Sequence, residues 1–434
     1  MNTWWKIWWW SLAAKLALAA NIPLTPDEAY YWVWTQHPQL SYFDHPPAIA
    51  WLLTLGDWLP TWAVRWPAIL LAHCSLWFWT RLTDDWLNRN QQLLFLCLLL
   101  LMPLIGIGSL IATPDLPLLF SWSFSLWALN RILAQNAKIS DAALFGLALG
   151  LGGLSKYHII LLLPIAAFVW WRTPNRPALH RWLPITLAVA VLVSSPVWIW
   201  NIQNDWASFR FQLDHGLGRK VWKPSWTSEY LLAQIGLLFP IVVWLAIKST
   251  APLLLRVAAW FPLIFFFFTS FRGYVEANWP IVAHPLVLAL AVSQLYAYRR
   301  SLQITAAFWA ALLAILLGLL AVPGWPAWTL KTKLRDLHQY DTLRTVSLPL
   351  EPLYARSYQM ASILSFSQQR KVYKLRGMNR RDFFDTLPGS SPTHDTIYLA
   401  VNRGDMLPEP WTLWKKTNVT PVDDQFEIWE LHRP

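Results

Sequence analysis

A chain of 434 residues, 56% hydrophobic and only 14% charged, with a mean hydropathy of +0.33, carries more apolar surface than a water-soluble fold of this size needs to bury. In a soluble protein its net charge of +11 would suggest nucleic acid or another acidic partner, but the basic residues fall mostly in short connectors between apolar runs, where they read as topology signals rather than a nucleic-acid surface. The two cysteines, Cys74 and Cys97, both lie inside apolar runs, which argues against a disulfide framework or a cysteine metal site.

The chain opens on MNTWWKIWWWSLAAKLALAANIPL, a basic start and an apolar stretch of the kind found in signal peptides. Its many tryptophans and the motif that follows at once predict a retained first helix instead. About eleven spans are predicted at roughly one per 15–20 apolar residues. They cover 7–24, 62–80, 93–110, 116–133, 142–154, 157–171, 182–200, 230–247, 257–270, 279–298 and 304–322, several of them short for a full crossing. Many of the 33 tryptophans sit near the ends of these runs, where an indole is buried and its N–H stays wet.

If the spans alternate, Lys6, Arg81, Arg89, Arg131, Lys138, Arg172, Arg176, Arg181, Lys248, Arg256, Arg299 and Arg300 all fall on one side, the cytoplasmic one by the positive-inside rule. The opposite, extracytoplasmic face then receives the more distinctive connectors. These are TPDEAYYWVWTQHPQLSYFDHPP, TPD, SKY, the long segment from Asn201 to Glu229, and FRGYVEANWP. From about Gly324 the apolar runs stop and charge rises. KVYKL, DTIYLAV and FEIWEL look like strands and RSYQMASILSFSQQ has helical spacing. The expected organisation is a mainly α, polytopic membrane domain over 1–323 and a small α/β extracytoplasmic domain over 324–434, about 110 residues long.

The outer face carries the ionisable groups. In Thr25-Pro26-Asp27-Glu28, Thr25 can cap a helix with Pro26 at its first position. Adjacent acids at a helix start serve as dipole partners, or else place a carboxylate at the membrane surface as a general base or a holder of an acceptor hydroxyl. Tyr30, Tyr31, Trp32 and Trp34 read as an interfacial helix lying in the headgroups, and a second interfacial or re-entrant helix begins at Pro46–Pro47. Asp44 and His45 precede it, with helix capping as their simplest role and substrate orientation or metal binding as the alternatives. The TPD turn recurs at Asp115, and a carboxylate beside an apolar span is costly unless used or solvated. Lys156 either snorkels to the surface or pairs with a lipid phosphate. Arg210, Arg219, Lys220, Lys223 and Arg272 break the positive-inside pattern, as a phosphate-bearing ligand on that face or plain loop solvation would explain.

Taken in order, TPDEAYYWVWTQ, YFDHPPAIAWLL, ATPDLPLLFSW, GLSKYHIILLLP, SPVWIWNIQNDWASFRFQ, VEANWP and the tail stretch SYQMASILSFSQQRKVYKLRGMNRRDFFD resemble the GT-C glycosyltransferases. The branch is the one that holds protein O-mannosyltransferases and the bacterial lipid A aminoarabinose transferases. The resemblance implies a GT-C bundle, a polyprenyl-phosphate sugar donor, an acceptor such as lipid A, another envelope lipid, a glycan or a protein, and an active site on the periplasmic face of the inner membrane. It implies Asp27 as the catalytic carboxylate, with Glu28 and Asp115 as further acidic members. It also implies Lys156 as a phosphate contact, and Asp44, His45, Arg210, Arg272 and Glu276 are expected beside it on the substrate side. The eleven-span count and the short tail depart from the larger members, which bears on acceptor choice.

Two rival classes are weighed against an enzyme. A transporter or flippase for a lipid-linked sugar would place its ionisable groups near the midplane, often in paired repeats, whereas here they cluster at one surface and no repeat is evident. A binding or assembly protein that kept the fold without the activity would not need the acidic and basic motifs. No GxGxxG or P-loop pattern is present. No cofactor is assigned: His37, Asp44 and His45 with Asp27 or Glu28 are the right residue types for a divalent metal, but spacing alone is not a ligand set.

Overall fold

The computed structural model describes residues 2–134, 137–173, 179–218, 221–321, 338–409 and 411–434. The 323/324 boundary, Arg176, Arg219 and Lys220 lie outside them. The chain forms two compact units. One comprises Met1–Asn21 and His45–Leu317, the other Ile22–Asp44 and Gly318–Pro434.

The helices run, in chain order, α1 (Thr3–Ala20), α2 (Pro26–Thr35), α3 (Ala48–Gly56), α4 (Trp66–Arg81), α5 (Arg89–Leu101), α6 (Pro103–Gly106), α7 (Asp115–Leu133), α8 (Ile139–Ser155) and α9 (Leu162–Arg172). They continue as α10 (Leu179–Gln203), α11 (Ala207–Leu217), α12 (Pro224–Leu238), α13 (Pro240–Ile247), α14 (Leu253–Thr269), α15 (His284–Ala297), α16 (Arg299–Ala321), α17 (Asp341–Thr345) and α18 (Tyr358–Gln368). Each apolar stretch expected to span the bilayer is helical. By length and hydropathy two helices among the described residues, Arg181–Gln203 and Arg299–Leu319, are long and apolar enough to cross a membrane, and four if two bent pairs each count once. Side chains such as Val191 and Leu192 on α10 and Ile315 on α16 remain exposed. An apolar surface of this kind suits lipid, and the first unit is a polytopic helical membrane domain.

Two stretches expected as single spans are broken. Pro103–Leu110 follows α5 at 77°, and α13 follows α12 at 88°. Each second piece opens on a proline, Pro103 or Pro240, which has no N–H to continue the ladder and crowds the preceding turn. At the first break the carbonyl of Ile105 and the hydroxyl of Ser109 accept from the buried ammonium of Lys15 on α1, at 3.0 and 2.7 Å. Residues of the α4 region also tie to α1 carbonyls: Arg65 Nη1 donates to Ala19 at 3.2 Å, Trp66 Nε1 to Leu16 at 3.2 Å, and His73 Nε2 lies 3.0 Å from the Trp8 oxygen. Polar groups inside an apolar bundle are affordable only with partners of this kind.

In the membrane unit α7 supplies much of the buried core, and α8 approaches α10 through glycine. A Cβ at Gly146 would sit 2.5 Å from the Thr186 oxygen, and one at Gly150 would sit 2.6 Å from the Val193 Cβ. Small residues let helix backbones come close enough for packing to replace the hydrophobic drive that lipid does not supply.

The second unit carries a five-stranded sheet with strands β1 (Leu353–Ala355), β2 (Tyr373–Lys374), β3 (Thr396–Asn402), β4 (Lys415–Pro421) and β5 (Phe426–His432), ordered β2-β1-β3-β5-β4. β1 is parallel to β2 and β3, while β5 is antiparallel to β3 and β4. α18 is the crossover between parallel β1 and β2. The strands expected from KVYKL, DTIYLAV and FEIWEL and the helix from RSYQMASILSFSQQ are all present, whereas β1 and β4 had no clear alternation to reveal them. Leu375, Met378, Ile397, Leu399, Val401, Trp429 and Leu431 form the core.

α2 belongs to this unit, and its aromatic run differs from expectation. Tyr30, Tyr31, Trp32 and Trp34 are buried by protein. Trp32 packs edge-on to Phe366 of α18 with centroids 5.1 Å apart, Tyr30 lies 4.6 Å from Tyr358, and Trp34 stacks on Tyr42 at 4.4 Å and meets Phe383 at 5.9 Å. Rings that would satisfy a headgroup layer equally satisfy another protein face, and a single sequence does not distinguish the two.

The glycine contact is testable. Gly150→Val should force α8 and α10 apart and destabilise the protein by about 1–3 kcal/mol, read as a lowered melting temperature in detergent, whereas an unchanged melt would show that the helices have room to spare.

Candidate active site

The TPDE motif folds as its chemistry dictates. Thr25 caps α2, its hydroxyl accepting from the Glu28 N–H at 3.3 Å, while the Glu28 carboxylate accepts from the Thr25 N–H at 2.9 Å and its hydroxyl at 3.1 Å. Glu28 is thereby buried in a capping box, and Asp27, one residue earlier in the same turn, is exposed. The helix N-terminus favours its negative charge. The Tyr358 hydroxyl, at the start of α18, donates to Asp27 Oδ1 at 3.1 Å.

Tyr358 is in turn placed by Arg380, whose guanidinium carbon lies 4.9 Å from the phenol ring centroid. Arg380 Nη1 donates to Asp44 Oδ1 at 3.1 Å. Asp44 is buried, and its other oxygen accepts from the Tyr30 hydroxyl, which itself accepts from the Phe383 N–H at 2.8 Å. Burial pushes the Tyr30 phenol well above its ordinary pKa, and the charges of Asp44 and Asp382 add to the shift. Burial likewise raises Tyr358, followed by the charge of Asp27, with Arg380 pulling the other way. Burial works against the charge of Arg380, but Asp44, Tyr358 and Tyr30 outweigh it and hold it firmly cationic. Both phenols therefore stay protonated as donors.

The loop that carries Arg380 and Phe383 wraps a buried lysine. Lys374 Nζ donates to the Arg380 carbonyl at 2.7 Å, to Asp382 Oδ2 at 2.7 Å and to Asp385 Oδ2 at 2.5 Å. Asp382 Oδ1 accepts from the Phe384 N–H at 2.9 Å. Burial raises the Asp382 carboxyl to about 6 against the opposing pull of Lys374.

In the membrane unit, Asp115 and Lys156 come together as a buried pair. Lys156 Nζ donates to Asp115 Oδ1 at 2.7 Å, and Asn278 Nδ2 donates to Asp115 Oδ2 at 2.6 Å. Asp115 opens α7, and Lys156 holds an extended backbone between α8 and the short 3-10 turn Tyr157–Leu161. His45 and Glu276 are half-buried, and Arg210 on α11, Arg272 after α14 and Lys223 before α12 are exposed. The cap position of α3 is Pro47, with no side-chain cap, so the capping expected of Asp44 gives way to its bonds with Arg380 and Tyr30. Among the described residues no group of three or more His, Cys, Asp or Glu side chains is placed to hold a metal ion.

Sequence reading did not single out Tyr358, Arg380, Lys374, Tyr30 as a hydrogen-bonding group, or Asn278. The signal was present, since all five lie in the stretches TPDEAYYWVWTQ, VEANWP and SYQMASILSFSQQRKVYKLRGMNRRDFFD, but nothing in those stretches says which side chain meets which.

Residues 44–200 match the family described as dolichyl-phosphate-mannose-protein mannosyltransferase. A lipid A galacturonosyltransferase from Rhizobium johnstonii is 25% identical over 304 residues, covering 62% of this chain and 60% of that protein. An undecaprenyl phosphate-alpha-4-amino-4-deoxy-L-arabinose arabinosyl transferase from Edwardsiella ictaluri is 27% identical over 241 residues, covering 48% and 43%. The chain thus spans less than two thirds of the length of these relatives. The crystal structure of ArnT from Cupriavidus metallidurans bound to undecaprenyl phosphate superposes with a TM-score of 0.67 at 14% identity, covering 97% of this chain and 96% of that one. The fold is shared, and the resemblance carried by the ordered motifs is borne out.

The Lys374 cluster sets a local stability. Lys374→Met would strand two acidic side chains in a buried site and should cost about 3–5 kcal/mol, seen as much faster hydrogen–deuterium exchange over residues 376–386. The unfolded Asp382 carboxyl, with its ordinary pKa of 3.8, is ionised above that pH, while the folded one keeps its proton up to about 6. The folded state therefore binds more protons in this window, and the Asp382 contribution to stability falls as pH rises through it. Asp382→Asn should flatten the pH dependence of that exchange, and an unaltered slope would assign it to another group.

Proposed function

We propose, from the premise that this chain shares the GT-C glycosyltransferase fold, that it transfers a sugar from a polyprenyl-phosphate donor of the undecaprenyl type to an envelope acceptor. The acceptor class is lipid A or a related glycolipid, with a glycan or protein as the alternatives. The chain sits in a bacterial inner membrane, with Asp27 and the sheet-bearing unit on the periplasmic side. The orientation is supported by the basic connectors, which fall on one side when the spans alternate.

The observation that carries the reading is Asp27. Glu28, Asp44 and Asp115 are buried and engaged, while Asp27 is exposed at a helix start with a tyrosine donor on one oxygen. A carboxylate exposed at a helix start is the right group to take an acceptor proton. In the proposed reaction the acceptor oxygen bonds to the anomeric carbon, the bond from that carbon to the phosphate oxygen breaks, and the electron pair leaves with the polyprenyl phosphate. The proton of an acceptor hydroxyl passes to Asp27. A phosphate leaving group needs no general acid, only positive charge to receive it. If the acceptor is itself a phosphate, Asp27 orients it instead of taking a proton.

Lys156 is the cation proposed to meet the departing phosphate, with Arg272 and Arg210 as exposed alternatives. Because Lys156 is paired with Asp115, it would have to share its ammonium between the two anions, with Asn278 stabilising Asp115 meanwhile. His45 and Glu276 are proposed on the substrate side. The transporter alternative is disfavoured by an exposed carboxylate at a helix start outside the apolar stretches.

Mass spectrometry of envelope lipids and glycans from cells with and without the gene should show one missing sugar increment, which names both sugar and acceptor. Restoring the gene with Asp27→Asn should leave that product reduced about 100-fold or more at equal protein level. Wild-type product from this variant would remove Asp27 from the chemistry, and translocation of a lipid-linked sugar in proteoliposomes without any covalent product would replace the enzyme reading altogether.

A further inference from the structure

The proposed role of Asp27 leaves unexplained why its neighbours come from chain segments some 330 residues away. The Asp27 carboxylate accepts from Tyr358, the Tyr358 ring lies under the Arg380 guanidinium, and Arg380 is anchored on Asp44, which returns to the same first outer loop as Asp27. The path is a closed circuit within one unit: acid, phenol, guanidinium, acid. Tyr30 completes it, bonded to Asp44 and to the Phe383 backbone two residues beyond Arg381. We infer that Tyr358 and Arg380 are positioning residues for Asp27, the phenol fixing one carboxylate oxygen and the guanidinium fixing the phenol, so that the carboxy-terminal segment is a working part of the active site rather than an appendage.

The chemistry is specific about direction. A hydroxyl that donates to a carboxylate stabilises its ionised form, and a nearby guanidinium does the same. Tyr358 is a donor at neutral pH because burial and the Asp27 charge keep its proton on. Among the described residues, the titratable and charged groups linked to Asp27 include Glu28 on its own helix, Tyr358 on α18, and Arg380 and Asp44 beyond Tyr358. The Tyr358 hydroxyl, with its ring held by Arg380, stabilises the Asp27 carboxylate and fixes the oxygen to which it donates. Lys374 holds the Arg380 carbonyl, so the loop that delivers the guanidinium is itself fixed.

The inference rests on the reading of Asp27 as the reaction's carboxylate, and its test separates the two. Carbodiimide labels protonated carboxyls, so labelling of Asp27 in the detergent-solubilised full chain, followed by peptide mass spectrometry across a pH series, reports its protonation without any substrate. Tyr358→Phe, which removes one oxygen, should move the Asp27 labelling midpoint up by about one pH unit, and Arg380→Gln should move it the same way, with Arg380→Lys in between. In cells lacking the gene, Tyr358→Phe should restore about tenfold less of the missing product than wild type at equal protein level. Unmoved labelling midpoints in Tyr358→Phe overturn the inference whatever Asp27 does in catalysis, as does full product from that variant while Asp27→Asn gives none. Shifted midpoints together with full product from Asp27→Asn would keep the circuit and discard the catalytic reading of Asp27 instead.

Discussion

A carboxylate taken out of water must find positive charge or donated hydrogen bonds, and this protein organises its distinctive chemistry around that requirement. Asp44, Asp115 and Asp382 are all buried. Each meets a cation and at least one further donor: Arg380 and Tyr30, Lys156 and Asn278, Lys374 and the Phe384 N–H. Removing one partner of such a set costs far more than the set contributes, because the remaining charge is left without compensation. These are therefore the positions where sequence and geometry are least free to vary independently.

The three sets do different work. The Asp44 set ties the segment after α1 to the carboxy-terminal segment and leads on to Asp27, the one acid of the TPDE motif that stays exposed. The Lys374 set is interior to the loop that carries Arg380 and holds that residue's backbone carbonyl. The Asp115 set lies in the membrane unit, where an unpaired ion would be costlier still. Lys15 follows the same logic in the membrane unit, its buried ammonium donating to the Ile105 carbonyl and the Ser109 hydroxyl just beyond the break at Pro103. At each of these sites the arrangement that makes a buried charge tolerable also fixes the direction of the side chains around it.

Much of this was legible in the residues. Apolar runs located the helices, proline and threonine located the start of α2, and alternation located β2, β3 and β5. The sharp bends inside 93–110 and 230–247 were not read, although Pro103 and Pro240 mark them, because hydropathy averages over a window and does not register a single missing N–H. The aromatic face of α2 was assigned to headgroups because a tryptophan-rich surface looks the same whether lipid or protein covers it. Glu28 and Asp27 looked equivalent, and the capping box that buries one leaves the other exposed.

The sequence alone determined the apolar solvent this protein lives in, the positions of its apolar helices, and the ordered motifs that carry its ionisable residues, since these follow from local composition and spacing. Only the tertiary structure decided which acid is exposed and which are spent on pairing, and that Tyr358 and Arg380 stand with Asp27 and Asp44. Hydrogen bonds and ion pairs act over about 3 Å, and nothing along a chain records which residues hundreds of positions apart will come that close.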